Sequence, residues 1–297
     1  MIRIATRGSA LARWQAERVG DLLGAPVEYV VVTTTGDRDQ HSELHAIGGQ
    51  GVFAREIQQA VLDGRADIAV HSAKDLPSET PDGLVLAAVP ERADPRDALV
   101  GARLDDIPTG GRVGTGSVRR RAQLAAARPD LGFGPLRGNI ETRLRKRAEL
   151  GYDAVVVAYA ALERLGLTSE VAQVLDPMVM LPQVGQGALA VECRANDDKI
   201  NARLRAIDDG TAHRAVMAER AFLAELGGGC DLPCGALAHV ADDDTIELDA
   251  LLAGLDGHIV IRTTTSGRDA VDVGRAAARE LLDGLGGREL LAAEELP

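Results

Sequence analysis

The sequence predicts an α/β protein made of two similar units followed by a smaller third α/β domain. Strand-like and helix-like stretches alternate along most of the chain. The segment RVGTGSVRRRAQLAAA repeats the order of RIATRGSALARWQA, in which a strand runs into a Gly/Ser/Thr turn and then a helix. At 297 residues the chain exceeds what one hydrophobic core usually supports, so two or three domains are expected.

The first unit begins at the start of the chain. Residues 2–5 predict a short buried strand, and Ser9 is expected to cap the helix that follows. The apolar face of that helix is predicted to hold Leu11, Trp14, Val19 and Leu22. Further strands are expected over 27–32, 66–71 and 84–89, with a helix that contains Ile57, Ala60 and Val61 between the first two.

The second unit follows a crossing between domains at residues 91–97, where prolines interrupt PERADPRDALV. After the repeated strand, turn and helix, Asn139 is a plausible helix cap, and AVVVA at 154–158 predicts a buried strand. Residues 181–193 become apolar, as a chain returning to the first sheet would.

The third unit is expected to begin with a helix over 211–226 that ends in three glycines. A β-hairpin over 246–264 and a helix over 269–284 follow. The predicted domains are therefore 1–92 with 188–207, 93–187, and 210–297.

Composition limits the class of protein. Hydrophobic residues make up 45% and charged residues 26%, which is ordinary for a globular protein. No apolar run approaches the roughly 20 residues of a membrane span, and the first residues do not resemble a signal peptide. The three cysteines, Cys193, Cys230 and Cys234, suit a reducing compartment. A cytoplasmic protein without a membrane partner is expected.

Arginine is concentrated in one stretch of an acidic chain. The formal charge is -12, yet residues 112–147 hold ten basic side chains and two acidic ones. Guanidinium groups bind carboxylates and phosphates through paired hydrogen bonds, which predicts a compact anionic ligand. A solvated helix face is the better interpretation for Arg145, Lys146 and Arg147. It is weaker for the arginines beside glycine-containing turns that open helices, namely Arg119, Arg120, Arg137 and Arg143.

Several predicted helices begin after Gly- and Ser-containing turns, and such N-termini favour anions. These turns are TRGS, GGQG, GTGS and RGN. The sequence lacks both the complete G-x-G-x-x-G fingerprint at GTGS and the phosphate-binding G-x-x-x-x-G-K-[ST] motif, so nucleotide binding is not predicted.

The segment HSAKDLP places His71, Lys74 and Asp75 just after a buried strand, where α/β folds carry catalytic groups. A carboxylate there can donate a proton and oppose a developing cation. A loop aspartate paired with Lys74 is the alternative, and the spacing alone slightly favours it.

The cysteines allow several interpretations. Cys230 follows three glycines, which predicts an accessible thiol, whereas Cys193 in an apolar run is expected to be core. A zinc pair of Cys230 and Cys234 is weakly indicated because no second ligand pair is near, and no histidine lies in the context of a Cys-His nucleophile. No metal is predicted.

Taken together, the chain closely resembles the porphobilinogen deaminase (hydroxymethylbilane synthase) family over essentially its whole length. The motifs that match in order are RIATRGSALARWQA, TTTGD, GVFAREI, ADIAVHSAKDLP, PRDALV, GTGSVRRRAQL, LRGNIETRL, LPQVGQGALAVE and GGGC.

The resemblance implies two type II periplasmic-binding-protein-like domains and a smaller α/β domain that carries a dipyrromethane cofactor. It implies that Cys230 holds this cofactor by a thioether and that Asp75 is the catalytic aspartate, which assists loss of the amine and stabilises the cation that forms. The activity implied is that of a monomeric transferase in tetrapyrrole (haem) biosynthesis. It would add four porphobilinogens in turn with loss of ammonia, and water would release hydroxymethylbilane.

The resemblance also implies the binding residues. Those for the cofactor, besides Cys230, are Lys74, Thr115, Ser117, Arg119, Arg120, Arg137 and Arg143. Those for the substrate are Arg7, Ser9, Phe53 and Arg164, with Phe53 beside a mobile loop. The chain departs from the family at Gln50, where many relatives have lysine, and at Cys234, which replaces an aliphatic residue.

Two other functions fit the bulk properties. A binding protein for a small dicarboxylate or oxyanion would share the two domains but would not need Cys230 or Asp75. A nucleic-acid binder could use the arginine-rich stretch, but aromatic residues are only 2% of the chain, so stacking platforms are scarce and no nucleic-acid partner is predicted.

Overall fold

The fold is seen in a computed structural model that describes residues 1–38, 51, 53–228 and 232–294. Gln50 and Cys230, which the sequence analysis singled out, lie outside the described residues.

The first sheet combines the start of the chain with one returning strand. In the described part of the chain its strands are β1 (Ile2–Thr6), β2 (Val27–Val31), β3 (Ile68–Ser72), β4 (Leu84–Ala88) and β10 (Leu189–Arg194). Their order is β2-β1-β3-β10-β4. Strands β1, β2 and β3 are parallel, whereas β10 runs antiparallel to both of its neighbours. The predicted return of the chain to the first sheet is confirmed.

The second sheet repeats this plan. Its described strands are β5 (Asp97–Val100), β6 (Arg112–Gly114), β7 (Gly132–Gly134), β8 (Ala154–Ala158) and β9 (Val171–Val174). Their order is β7-β6-β8-β5-β9. Strands β7, β6 and β8 are parallel, whereas β5 runs antiparallel to both of its neighbours, β8 and β9. In each sheet the antiparallel strand follows a crossing from the other sheet, so the two halves exchange strands. The predicted pair of similar type II units is confirmed.

The third sheet is antiparallel and smaller. Its described strands are β11 (Cys234–Val240), β12 (Ile246–Ala253) and β13 (Val260–Gly267). The predicted hairpin is confirmed as β12 paired with β13. Strand β11 was not predicted, and it pairs with β12 along its whole length.

Helices cover the sheets. The described ones are α1 (Ala10–Leu23), α2 (Thr35–Arg38), α3 (Arg55–Leu62), α4 (Val118–Ala127), α5 (Ile140–Glu149), α6 (Tyr159–Arg164), α7 (Asp198–Leu204), α8 (Gly210–Glu225), α9 (Ala270–Arg279) and α10 (Gly287–Glu294). The caps at Ser9 and Asn139 are confirmed, since each side-chain oxygen accepts a hydrogen bond from the backbone N–H three residues later. None of the helices described could span a membrane.

The predicted face of α1 was wrong only at Leu22, which is exposed. Val19 is buried as predicted, and Leu11 and Trp14 are half-buried. Ala12 and Ala16 are buried as well, because small residues let α1 lie close to the sheet. The predicted last helix over 269–284 is confirmed, since α9 continues into a π-helix at Glu280–Gly284, after which α10 begins.

Candidate active site

A cleft opens where the carboxyl ends of parallel strands from both sheets face each other. One part, of about 190 Å³, reaches the third domain at Leu223, Leu232 and Cys234. The other, of about 570 Å³, reaches the N-terminus of α1 at Arg7 and Ser9. Together they fall in the size range of small-molecule sites, at the edge where α/β sheets bind ligands. Both parts are lined by Phe53, Lys74, Asp75, Arg120, Arg137 and Arg143.

The structure brings together most of the residues that the sequence analysis selected. The part near the third domain also contains Ser117 and Arg119. Thr115 is buried behind the lining, where its Oγ1 accepts a hydrogen bond from the Ser117 N–H at 3.1 Å and shapes the turn before α4.

Arg164 lies elsewhere. Its Nη2 donates to the backbone oxygen of Gly187 at 2.6 Å, and its guanidinium lies 5.6 Å from the centre of the Trp14 ring. This side chain lines a separate cavity beside α1 and the crossing segment. Burial lowers its pKa to about 10.

Arg119 and Arg120 are held by one buried carboxylate. Asp97 at the start of β5 is fully buried, and its oxygens accept from Arg119 Nη2 at 2.8 Å and from Arg120 Nη2 at 2.7 Å. Further bonds run from Arg119 to the Leu181 carbonyl and from Arg120 to the Val156 carbonyl. Although burial opposes ionisation, the two guanidinium groups hold the pKa of Asp97 well below its usual range. The geometry of both arginines is therefore set before any ligand binds.

The remaining cations have spare hydrogen-bonding capacity. Nη1 of Arg137 is buried, and within the described residues it has no hydrogen-bond partner. Nε of Arg143 donates to the Gly138 carbonyl at 2.8 Å. Burial, with repulsion from Arg120, lowers the pKa of Arg143 to about 10 and that of Lys74 to about 8. Such crowding of like charges is costly and indicates that an anionic ligand completes the site.

Asp75 is the carboxylate that faces this group of cations. It ends the short turn Ala73–Asp75 directly after β3 and is half-buried. The Lys74 ammonium donates to Gln186 Oε1 at 3.2 Å. Within the described part of the chain, Asp75 makes no side-chain hydrogen bond or ion pair, so the alternative of an aspartate paired with Lys74 is wrong. Its negative charge nevertheless favours the charged forms of Lys74 and Arg143.

Near the start of α1 an aromatic ring borders the cleft. The guanidinium of Arg7 lies 4.1 Å from the centre of the Phe53 ring, a cation–π contact. The ring also packs against the Gly36 backbone so closely that a side chain at that position would collide with it. Phe53 is therefore held at the cleft wall from two sides. His71, by contrast, is buried beneath the site, with Nε2 3.1 Å from Glu192 Oε2.

The cysteines differ in environment. Cys193 is fully buried in the core of the first sheet, and burial raises the pKa of its thiol to about 11, which confirms its predicted core position. Cys234 is buried and lines the cleft. Within residues 1–38, 51, 53–228 and 232–294, no three His, Cys, Asp or Glu side chains could together hold a metal ion.

Comparison with known proteins decides the family. The family model described as "Porphobilinogen deaminase, dipyromethane cofactor binding domain" matches residues 2–221, and the model of the C-terminal domain matches residues 213–283. The chain belongs to the porphobilinogen deaminase family. It is 49% identical to the porphobilinogen deaminase of Roseiflexus sp. (strain RS-1), over 97% of this chain and 98% of that protein. Identity to the Brevibacillus brevis protein is 44%, over 94% and 93%.

Two solved structures that resemble the chain are far less similar in sequence than these relatives. The VFT2 domain of Bordetella pertussis BvgS is 15% identical with a TM-score of 0.42, over 74% of this chain and 91% of that one. The Bacillus subtilis extracellular-binding protein ytmK is 12% identical with a TM-score of 0.39, over 72% and 94%. The assignment of the fold here rests on the strand order of the two sheets.

Sequence reasoning missed Asp97 and Gln186. Asp97 precedes three apolar residues in a strand whose residues are all buried, and a charged residue in such a run signals a buried partner. Gln186 lies in the VGQG turn between Gly185 and Gly187. An amide beside two glycines gives no local signal for a long-range contact.

Proposed function

We propose that the chain polymerises four porphobilinogen molecules into the linear tetrapyrrole hydroxymethylbilane, with release of ammonia, in tetrapyrrole biosynthesis. One observation carries this function within the family. Six cationic side chains line the cleft around a single half-buried carboxylate, Asp75. A substrate that is anionic at its periphery and becomes cationic at its reacting carbon requires this combination.

The cations match the carboxylates of the pyrrole rings. Every ring carries an acetate and a propionate, so a growing chain accumulates negative charge at its edges. Arginine binds such groups through two parallel N–H donors, and the pairing with Asp97 presents Arg119 and Arg120 in fixed orientations. Because the arginines are already ordered, little conformational entropy is lost when a carboxylate binds.

Asp75 is the proposed catalytic residue. Loss of ammonia from porphobilinogen leaves positive charge spread over the pyrrole, and a fixed carboxylate lowers the barrier by stabilising that charge. Since Asp75 has no protein partner among the described residues, its oxygens are available to the substrate's pyrrole N–H and departing amine. Its charge acts on the adjacent cations Lys74 and Arg143, which places the carboxylate within the group that binds the substrate.

The same cleft fits a covalently held dipyrromethane. The buried Nη1 of Arg137, which has no partner in the described structure, is a donor that a cofactor carboxylate would satisfy. Cys230 would form the thioether. The other residues proposed to hold the cofactor are Lys74, Ser117, Arg119, Arg120, Arg137 and Arg143, with Thr115 supporting the turn. When bound, the dipyrromethane supplies the pyrrole end to which the substrate is joined.

The position of Cys230 in the sequence supports it as the point of attachment. Gly228 and Leu232 both line the cleft, and Cys230 is two positions from each along the chain.

Arg7, Ser9 and Phe53 are proposed to bind the incoming porphobilinogen, since they border the other part of the cleft. Arg164 is left out of this set because its guanidinium is bonded to the Gly187 backbone. The domains are proposed as 1–92 with 188–207, 93–187, and 210–297. We further propose a monomer that acts in the cytoplasm, and light scattering on the purified protein would test the oligomeric state.

Intact-mass measurement tests the tether. The wild-type protein should carry an adduct of two pyrroles that is absent from Cys230→Ala. The matched controls are Cys193→Ala, a buried thiol outside the cleft, and Cys234→Ala, a thiol in its lining. Both should keep the adduct. A fully active wild-type protein without the adduct, or an adduct that persists in Cys230→Ala, would contradict the proposal.

A further inference from the structure

Gln186 is a fully buried amide on the segment that returns from the second sheet to the first. Its Nε2 donates to Asp97 Oδ1 at 2.9 Å and to the Pro95 carbonyl at 2.7 Å. Its Oε1 accepts from Lys74 Nζ at 3.2 Å. The backbone oxygen of Gln186 accepts from Arg92 Nε at 2.9 Å. Every polar atom of the side chain is thus bonded to a group that precedes β5, begins β5 or follows β3.

The orientation of this amide follows from its partners. The ionised Asp97 and the Pro95 carbonyl can only accept, so the NH₂ group must face them. The amide oxygen must then face Lys74, and a protonated ammonium can only donate. The arrangement therefore has one consistent hydrogen-bond pattern, and it passes from Arg119 and Arg120 through Asp97 and Gln186 to Lys74.

The turn around Gln186 is closely packed. Gly185 and Gly187 both have positive φ, and a side chain on Gly185 would lie 2.9 Å from the Ala73 backbone, one residue before Lys74. These contacts fix the Gln186 backbone between the two sheets. The amide cannot move away from either partner without distorting the crossing segment.

We propose that Gln186 is a positioning residue that holds the Lys74 ammonium of the first sheet in register with the Asp97 and arginine group of the second. The cations from the two halves of the protein are then presented as one array to the carboxylates of the cofactor and of the pyrroles joined to it. This inference rests on the proposed function, because it assigns a task within the same reaction. Gln186 itself does not line the cleft and is not a catalytic residue.

A carboxyl group in place of the amide gives a pH-dependent test. When protonated, it can reproduce both bonds, since its O–H donates to Asp97 and its carbonyl oxygen accepts from Lys74. When ionised, it loses the donor and places a second negative charge against Asp97. Burial and Asp97 oppose ionisation, while Lys74 favours it. The charged groups that face this position from the packed elements are Lys74, Arg92, Asp97, Arg119, Arg120 and Glu219.

The experiment compares kcat/KM for porphobilinogen in Gln186→Glu, Gln186→Leu and the wild type from about pH 5 to about pH 9. This range lies above the usual glutamate pKa of about 4.3, because burial and Asp97 oppose ionisation of the new carboxyl group. Gln173→Glu is the matched control, because Gln173 Oε1 accepts from the Leu104 N–H away from the cleft and a carboxylate can do the same. Thermal unfolding confirms that each variant is folded.

The expected result is a ratio of Gln186→Glu to wild-type kcat/KM that falls by about tenfold or more as pH rises, the effect of losing a hydrogen bond to a charged group. Gln186→Leu should be impaired by a similar factor at every pH, and Gln173→Glu should follow the wild type. A ratio for Gln186→Glu that is constant with pH would overturn the inference. So would a Gln186→Leu variant with wild-type kinetics.

Measurements on the wild-type protein distinguish failure of the proposed function from failure of the role of Gln186. If the wild-type protein carries no pyrrole adduct and does not consume porphobilinogen, the proposed function fails. If it does both and the Gln186 variants behave as the wild type does, only the positioning role of Gln186 fails.

Discussion

Replacing Asp97 by asparagine removes the one charge that balances two buried arginines. Arg119 and Arg120 are 3% and 5% exposed, and both depend on the Asp97 carboxylate for their ion pair. The asparagine side chain has the same shape, but its NH₂ group would face donors and its oxygen carries no full charge. The variant therefore leaves buried guanidinium groups uncompensated.

The cost follows from the burial of the pair. Removing one partner of a buried ion pair costs about 3–5 kcal/mol of unfolding free energy. For chains of this size each kcal/mol lowers Tm by about 2 °C or more, so we expect a decrease of at least about 6 °C. Turnover should fall as well, because the cleft arginines lose their fixed orientation.

Thermal and urea unfolding of Asp97→Asn would measure this effect. Asp130→Asn is the control, since Asp130 makes an equally short bidentate contact with Arg128 but at the surface, where ion pairs contribute little. Its Tm should match the wild type. A Tm of Asp97→Asn within about 2 °C of the wild type would refute the reasoning about buried charge.

The same variant has a defined pH dependence. The pKa of Asp97 is depressed in the folded protein, so its stabilising contribution is present above the unfolded value of about 3.9 and is lost as pH falls through the folded value. The difference in unfolding free energy between the wild type and Asp97→Asn should therefore stay constant from neutral pH to about pH 4. It should narrow only in stronger acid.

Three further predictions concern the cleft. Asp75→Asn should lower kcat at least about 100-fold with an unchanged Tm, because the carboxylate acts on the cationic transition state and not on the fold; steady-state kinetics and calorimetry check both. Arg137→Met should lower the fraction of protein that carries the two-pyrrole adduct without lowering Tm, since its Nη1 has no partner in the described structure. Arg119→Met should lower both the adduct fraction and Tm, and intact-mass and unfolding measurements separate the two variants. Because the pKa of Lys74 is about 8, kcat/KM should fall as pH rises through that value and the ammonium is deprotonated, and Lys74→Arg should move this limb to higher pH in a pH-rate profile.

The sequence by itself determined the local features of this protein. Some features depend only on residues that are close together in the sequence and on their periodicity. They include the caps at Ser9 and Asn139, the buried strand at 154–158 and the hairpin of the third domain. The repeated strand, turn and helix likewise indicated two similar units. The ordered motifs indicated the family and, through it, the candidate site residues.

Only the tertiary structure decided which charged groups meet. Gln186 and Lys74 are 112 positions apart in the chain, and Asp97 meets Gln186 across 89. No local pattern signals these contacts, because they arise where the chain crosses twice between the sheets. Arg164 is likewise held outside the cleft by two distant partners, the Gly187 backbone and the Trp14 ring. The contribution of a charged side chain to stability, and its role in the site, depend on its burial and on its hydrogen-bonding and charged partners. These partners are known only from the tertiary structure.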